Sequence, residues 1–251
     1  MKILAIIGSP RKANTYRTVQ KIEQIHKQIS DCEYEYLFLK DIRLDLCKGC
    51  FVCISKGEEH CPLKDDRDRI VQKIESSDGV ILASPNYAAN VPWLMKNCID
   101  RFAYTSHRPR YFNQKFMLLV TSGSYMGVKN AMKALSMMVS GGSVIARLRV
   151  LNSPGMNDNK RRKQEEQIKK SAVKFAKRMN KKKGAKPAFS HLIWFSVFKA
   201  SSVINRKDFP ADYQYFKDKE YFTDCKLNVF QKASIKLFTY FFRFMIQIGA
   251  V

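Results

Sequence analysis

Along the first 150 residues, short runs that are apolar at nearly every position alternate with stretches whose apolar residues recur every three or four positions. The runs are "KILAIIG" (2–8), "YEYLFL" (34–39), "GVILAS" (79–84), "KFMLLVTS" (115–122) and "SVIARLRV" (143–150). Rich in β-branched and aromatic side chains, they predict five strands. The stretches between them, "TYRTVQKIEQIHKQI", "DDRDRIVQKIES", "PWLMKNCIDRFAY" and "VKNAMKALSMMVS", predict helices, and a fifth helix is expected from about Asp158 to Lys182. Strand and helix in strict alternation predict an α/β fold, a doubly wound five-stranded parallel sheet between two helical layers. Segments such as "ILAII" and "VILA", apolar throughout, suit strands covered on both faces.

The alternation stops near Lys183 in "KKKGAKPAF", where Gly184 and Pro187 interrupt the helical pattern. The expected division is a first domain over 1–183 and a mainly helical C-terminal extension over 184–251. The extension contains the aromatic-rich "HLIWFSVFKA", a polar and aromatic middle "KDFPADYQYFKDKEYFTD", and a last helix from about Leu227 to Ile248. In that helix Lys232, Lys236, Tyr240, Arg243 and Gln247 draw a narrow polar stripe, and Phe230, Leu237, Phe238, Phe241, Phe244, Met245 and Ile248 cover the rest. Lys236 and Arg243 argue against a spanning segment, since each costs roughly 2.5 to 3.5 kcal/mol at a bilayer centre. Two readings of the apolar arc stand: packing against this chain or a second subunit of a homo-oligomer, or contact with a membrane surface.

Composition sharpens this picture in two places. Hydrophobic residues at 45% and aromatics at 12% exclude a disordered chain. Of the net charge of +23, +10 falls between residues 158 and 186, so the excess is local. No nucleic-acid recognition module accompanies that basic segment, and no nucleic-acid partner is expected. The apolar run at the N-terminus is five residues long, short for a signal peptide or a spanning helix, so a cytoplasmic chain, at most peripheral to a membrane, is expected. In such a compartment clustered cysteines point to metal or redox chemistry more than to disulfides.

Candidate chemistry begins where the first strand gives way to the first helix, at "GSPRKANT" (8–15). A glycine, small hydroxyls, a basic pair and a helix start are what a terminal phosphate requires: backbone N–H groups, side-chain donors and positive charge. The loop lacks the second glycine and Gly-Lys pair of a nucleoside triphosphate loop and the G-x-G-x-x-G of a dinucleotide fold, so a mononucleotide phosphate fits better. The plainer reading is an ordinary turn with Asn14 as helix cap. Two further loops, "SPNYAANVP" and "TSGSYMG", follow the third and fourth strands, and ligands of open α/β sheets sit outside such carboxyl ends.

With "GSPRKANT", "CKGCFVC…CPLKDD", "ASPNYAANVPWLMKNCIDR" and "TSGS" taken together, the first 150 residues resemble the flavodoxin-like NAD(P)H-dependent FMN reductases and, within them, the iron-sulfur flavoproteins. The resemblance implies that Ser9, Arg11, Asn14 and Thr15 hold an FMN phosphate, with Lys12 as an auxiliary. It implies that Pro85, Asn86 and Tyr87 line the isoalloxazine and that Ser122 and Gly123 close its other edge. The loop is one residue shorter than the commoner "GSPRK-x-x-NT" form.

Cys47, Cys50, Cys53 and Cys61 form C-x2-C-x2-C-x7-C, followed by Pro62. Four thiolates so spaced can ligate a [4Fe-4S] cluster, and iron-sulfur flavoproteins carry a similar compact motif. Zinc is a weaker candidate, because structural zinc sites bring two separated ligand pairs. The alternative is a loop with no cluster, its cysteines serving packing and loop shape. Asp65 and Asp66 read as the cap and first turn of the next helix. Cys32, Cys98 and Cys225 read as scattered packing residues.

A flavin performs the redox step itself, so no catalytic side chain is expected, and no G-x-S-x-G elbow supports a triad from Ser143, His107 and Asp100. The expected function is transfer of electrons from NAD(P)H or a small carrier to a quinone, a flavin or a similar small acceptor, by way of FMN and a [4Fe-4S] cluster if present. The alternative is a non-enzymatic flavodoxin-like electron carrier.

Overall fold

The structure, a computed structural model, describes residues 1–180 and 189–249. Chain contacts separate two compact units. The first comprises Met1–Cys47, Leu63–Ser106 and the chain from Arg110 through Asn180; the second comprises Lys48–Pro62, His107–Pro109 and the chain from Phe189 onward. The expected boundary near Lys183, with Gly184 and Pro187, lies outside the described residues.

The first unit is built on β1 (Lys2–Ile7), β2 (Glu33–Phe38), β3 (Gly79–Pro85), β4 (Lys115–Ser122) and β5 (Ser143–Leu151), all parallel, in the order β2-β1-β3-β4-β5. All five predicted strands form. Register explains their composition: Ile3 sits between Tyr34 and Gly79, and Leu82 between Ile6 and Leu118. Every residue of β3 is buried, as a strand covered on both faces requires. At the edge, β5 alternates, with Arg147 and Arg149 exposed and Ala146, Leu148 and Val150 buried.

Helices α1 (Asn14–Lys27), α3 (Arg67–Glu75), α4 (Trp93–Arg101), α5 (Val128–Ser136) and α6 (Asp158–Met179) cover this sheet, and the short α2 (Val52–Ser55) belongs to the second unit. One core layer joins Leu4, Ile6, Leu82 and Leu118 to Ile70, Ile74, Met95 and Leu135. The other joins Ile3, Ile7, Ile81 and Leu119 to Val19, Ile22, Ala172 and Phe175. Alternate residues of each strand thus face opposite layers, the period-two geometry of a strand. Burying a single Leu or Ile side chain stabilises the fold by about 1.5 to 3 kcal/mol.

The second unit contains α7 (Phe189–Ile204), α8 (Pro210–Phe216) and α9 (Val229–Gln247). Phe195 is fully buried, with ring centroids of Phe222, Tyr221 and Phe216 at 5.1, 5.6 and 5.8 Å. The start of α9 is fixed by a capping box in which Asn228 and Gln231 satisfy each other's backbone N–H groups at 2.8 and 3.0 Å. No helix among the described residues is long and apolar enough to cross a membrane.

Candidate functional site

Strand order reverses between β1 and β3, and a cavity of about 220 Å³ opens there at the carboxyl ends of the strands. Ser9, Arg11, Asn14 and Thr15 reach it from the β1–α1 loop, Pro85, Asn86 and Tyr87 from the end of β3, and Ser122 and Gly123 from the end of β4. Nine of the ten residues implied by the resemblance therefore share one cavity. Lys12 does not line it; its ammonium lies 5.0 Å from the centre of the Phe38 ring, within cation–π range.

The β1–α1 loop is shaped by close packing beneath it. Gly8 donates its N–H to the Ala83 carbonyl at 2.9 Å, and a Cβ at Gly8 would lie 2.7 Å from Met95 Cε. The Ser9 hydroxyl donates to the Arg11 carbonyl at 2.7 Å and closes the turn. The position preceding α1 is occupied by Ala13, which offers no side-chain cap, and Asn14 is the first helical residue. The plainer reading of Asn14 as helix cap is thus not what forms. The first N–H groups of α1 have no side-chain cap, and with Arg11 beside them they present the donors and positive charge that an anion needs.

Two predicted loops meet directly. Asn86 donates from Nδ2 to Ser122 Oγ at 2.9 Å and to the Met126 carbonyl at 2.8 Å, while its backbone N–H reaches the Thr121 carbonyl at 2.7 Å. Its Oδ1 is buried and has no protein partner, an unsatisfied acceptor on a residue that lines the cavity. Beyond Asn86 the chain turns through Ala88 and Ala89, both in the left-handed region at φ 46° and 62°. This is strain of the kind that persists where surroundings impose it. Gly127, at φ 77°, is pressed against this turn: a Cβ there would sit 2.1 Å from Ala89 Cα.

Sequence reasoning missed Ala13, Thr121 and Asn152, which also line the cavity. Thr121 and Thr15 share a buried hydroxyl contact of 2.7 Å that ties the ends of β4 and α1 together. The signal for Thr121 was present in "TSGS"; Asn152 follows β5, whose end no motif marked. An uncapped helix start, a basic residue, an orphaned amide oxygen and a half-exposed tyrosine, Tyr87, fit a phosphorylated aromatic cofactor.

A model of the NADPH-dependent FMN reductase family matches residues 1–155. The chain belongs to this family. An iron-sulfur flavoprotein of Clostridioides difficile (strain 630) is 31% identical over 206 residues, 80% of this chain and 88% of that protein. One of Archaeoglobus fulgidus is 38% identical over 126 residues, 49% of this chain and 60% of its own length. The chain thus spans less than two thirds of that archaeal relative. In fold, an NAD(P)H:quinone oxidoreductase from Methanothermobacter marburgensis superposes with a TM-score of 0.54 at 16% identity, covering 73% of this chain and 99% of that one. The three-layer, parallel flavodoxin-like architecture expected of this FMN reductase family is the one observed.

The cysteine segment is organised differently. Cys47 belongs to the sheet unit and Cys50, Cys53 and Cys61 to the second. Cys47 and Cys50 are exposed, Cys53 is half-buried and Cys61 is buried. Among the described residues no three His, Cys, Asp or Glu side chains lie close enough to hold a metal ion. Four thiols are chemically suited to ligate an iron-sulfur cluster, and Cys50, Cys53 and Cys61 lie together in the second unit.

What holds this segment in each unit was not foreseen. In the sheet unit Cys47 donates its N–H to Asn97 Oδ1 at 3.0 Å, and Asn97 in turn donates to the Leu44 carbonyl at 3.0 Å. Arg101 and Asp65 form a buried, two-pronged ion pair, and Asp65 also accepts the Asp45 N–H at 2.8 Å. Burial alone would raise the Asp65 pKa, but the Arg101 hydrogen bonds and two backbone N–H donors outweigh it and hold the carboxyl below its usual range. Asp66 accepts the Arg43 N–H at 3.1 Å and makes no cap bond to α3. The "DD" pair therefore anchors residues 43–45 as well as standing at the start of α3, where Asp66 holds the cap position read from the sequence and Asp65 accepts the Arg67 N–H at 3.2 Å.

In the second unit the buried Arg108 plays the comparable part. It donates to the Ile54 carbonyl at 2.9 Å and to Glu58 at 3.0 Å, and it also binds the Cys53 carbonyl and Asp212. His107 Nδ1 lies 2.9 Å from the other Asp212 oxygen. Cys98, read as a packing residue, is fully buried in the core of the sheet unit, and burial pushes its thiol up to about 12, which leaves it inert.

Proposed function

We propose that the chain is a flavin-dependent oxidoreductase that holds FMN in the cavity at the ends of β1, β3 and β4. The observation that carries this is the convergence there of three loops bearing Ser9, Arg11, Asn14, Thr15, Asn86 and Ser122 around an uncapped helix start. Arg11, Ser9, Asn14, Thr15 and the N–H groups of α1 bind the phosphate, where helix dipole and guanidinium act together. Pro85, Asn86 and Tyr87 bound one side of the ring and Ser122 and Gly123 the other. The Asn86 amide is held in place by Ser122 and Met126.

The bound flavin supplies hydride acceptance and electron release, and this chain's residues supply binding and orientation. The donor is a nicotinamide, as in the name of the family, and the acceptor is a small oxidant such as a quinone or a free flavin. No step is assigned to the four cysteines. The carrier reading has one point in its favour, since the curated relatives are named as flavoproteins and not as reductases.

Reconstitution with FMN followed by desalting, then assay of NADPH oxidation with a quinone, tests both readings. Retained flavin absorbance with turnover supports the reductase, retained flavin without turnover supports the carrier, and loss of the flavin on desalting removes the proposal. Iron and sulfide analysis after anaerobic purification, compared with Cys50→Ser, decides whether the cysteine segment takes up a cluster when one is supplied.

A further inference from the structure

Helix α9 has three sides. Its buried side is marked by Ile235. At 100° per residue, Phe230, Leu237, Phe241, Phe244 and Ile248 fall within about 60° of one another, centred about 150° from Ile235. They are exposed by 84, 67, 48, 55 and 57% respectively. The apolar arc of the sequence thus divides: one part packs, and the other faces outward. Trp194 and Phe189 of α7, which packs on α9, add exposed aromatic surface to the second unit.

The third side of α9 bears Lys232, Lys236 and Arg243, which line a cavity of about 440 Å³ with Lys199, Glu220 and Tyr240. Lys232 pairs with Glu220 at 2.7 Å. Neither α7 nor α9 contains a single Asp or Glu, whereas Lys199, Lys232, Lys236 and Arg243 all lie on them. An exposed stripe this apolar and this long needs an apolar partner.

We propose that α7 and α9 form a surface that lies in the interface of an anionic phospholipid bilayer, with the Phe230–Ile248 stripe among the acyl chains and Lys232, Lys236 and Arg243 at the headgroup phosphates. A helix rich in Phe and Leu on one side and in Lys and Arg on another, without acidic residues, has the composition of an interfacial helix. A second copy of the chain suits it less. A two-fold contact places the same patch on both sides, so Lys199, Lys232, Lys236 and Arg243 of each copy would be brought together with Glu220 as the carboxylate among the lining residues. Anionic lipid supplies both the apolar phase and the further negative charge.

Flotation of the full chain with phosphatidylcholine vesicles, with and without phosphatidylserine, tests this at about 50 mM and about 500 mM salt, where screening differs severalfold. Binding to the anionic vesicles that weakens at high salt is the expected result. Lys236→Gln with Arg243→Gln should lower partitioning by roughly 25-fold, at about fivefold per charge. Phe241→Gln with Phe244→Gln should lower it more than tenfold, which separates the stripe from general attraction by the basic α6. Circular dichroism melting confirms that each variant is folded, and Leu237→Gln replaces any that is not. Absence of binding at low salt overturns the proposal, as does binding unchanged by the Phe substitutions. Reversible dimerisation abolished by those substitutions, without lipid binding, assigns the stripe to a second copy and overturns it too.

Discussion

The loops at the strand ends and the cysteine segment are both short, both rich in reactive residue types and both conspicuous in the sequence, yet the first lie within one unit and the second is divided between two. Hydrogen-bonded parallel strands stand about 4.8 Å apart, so residues that end β1, β3 and β4 are brought together by the sheet itself. The contacts Asn86–Ser122 and Thr15–Thr121 follow from that spacing. The cysteine segment has no such ruler. Its anchors are single polar side chains, Asn97 and Asp65 near Cys47 and Arg108 near Cys53, each drawn from distant parts of the chain. A site on strand ends inherits its geometry from the sheet, whereas a site on a loop depends on whichever residues hold the loop.

The sharpest way to break the comparison is to remove an anchor. Asp65→Asn leaves Arg101 buried without its carboxylate, and a loss of about 3 to 5 kcal/mol is expected in urea unfolding, from total stabilities of about 5 to 15. Because the folded pKa of Asp65 is lowered, its contribution is complete above about pH 4 and fades as pH falls through the lower folded value. An unfolding free energy within 1 kcal/mol of wild type at pH 7 would mean that the segment around Cys47 is not held as described.

Gly127→Val tests the strand-end loops in the same way, since the new side chain would overlap Ala89 and require a positive φ. About 3 kcal/mol of destabilisation is expected from strain and overlap, with weakened FMN retention. A variant that melts like wild type would argue against the packed Ala88–Ala89 turn.

Arg11→Ala is expected to act on the proposed FMN site with little effect on the fold. Loss of one charged donor to a phosphate should weaken FMN affinity about 10- to 100-fold while the melting temperature of the apoprotein stays put. Fluorescence titration gives the number. Equal affinities for riboflavin and FMN in wild type would place the phosphate elsewhere.

The smallest expected effect probes the sheet unit away from either region. His26 is fully buried, bonded through Nδ1 to Tyr34 at 2.9 Å and with Nε2 lacking a protein partner. Burial, and secondarily the N-terminal ammonium, hold its pKa below the usual value of about 6.5. The unfolded chain therefore takes up this proton first, so stability should be complete above about pH 6.5 and decline as pH falls from there towards about 5.5. Melting curves of wild type and His26→Gln at the two pH values test this; parallel behaviour would remove His26 as the cause.

How far the sequence could be read follows from these physical differences. Apolar runs separated by stretches of helical periodicity made the five strands and their covering helices legible, because burial on both faces leaves a continuous signature in β3. Nine cavity residues were legible through the resemblance that "GSPRKANT", "SPNYAANVP" and "TSGS" carry, three loops that follow successive strands of one sheet. Lys12 was not, since a basic side chain beside a phosphate loop can equally lie over Phe38. Asn152, Arg108, Asn97 and the role of Asp65 were illegible, as each acts on a partner tens of residues away that no periodicity connects.

By itself, then, the sequence determined the strand and helix order and the presence of an amphipathic last helix, because local propensity and periodicity are written residue by residue. Tertiary structure alone decided that Ala13 and not Asn14 precedes α1, and that Asp65 pairs with Arg101. It alone decided that the apolar arc of α9 splits between Ile235, which is buried, and a Phe-rich stripe, which is not. The reason is common to all three: which face of an element is covered, and which polar group finds a partner, is settled by neighbours distant in the chain.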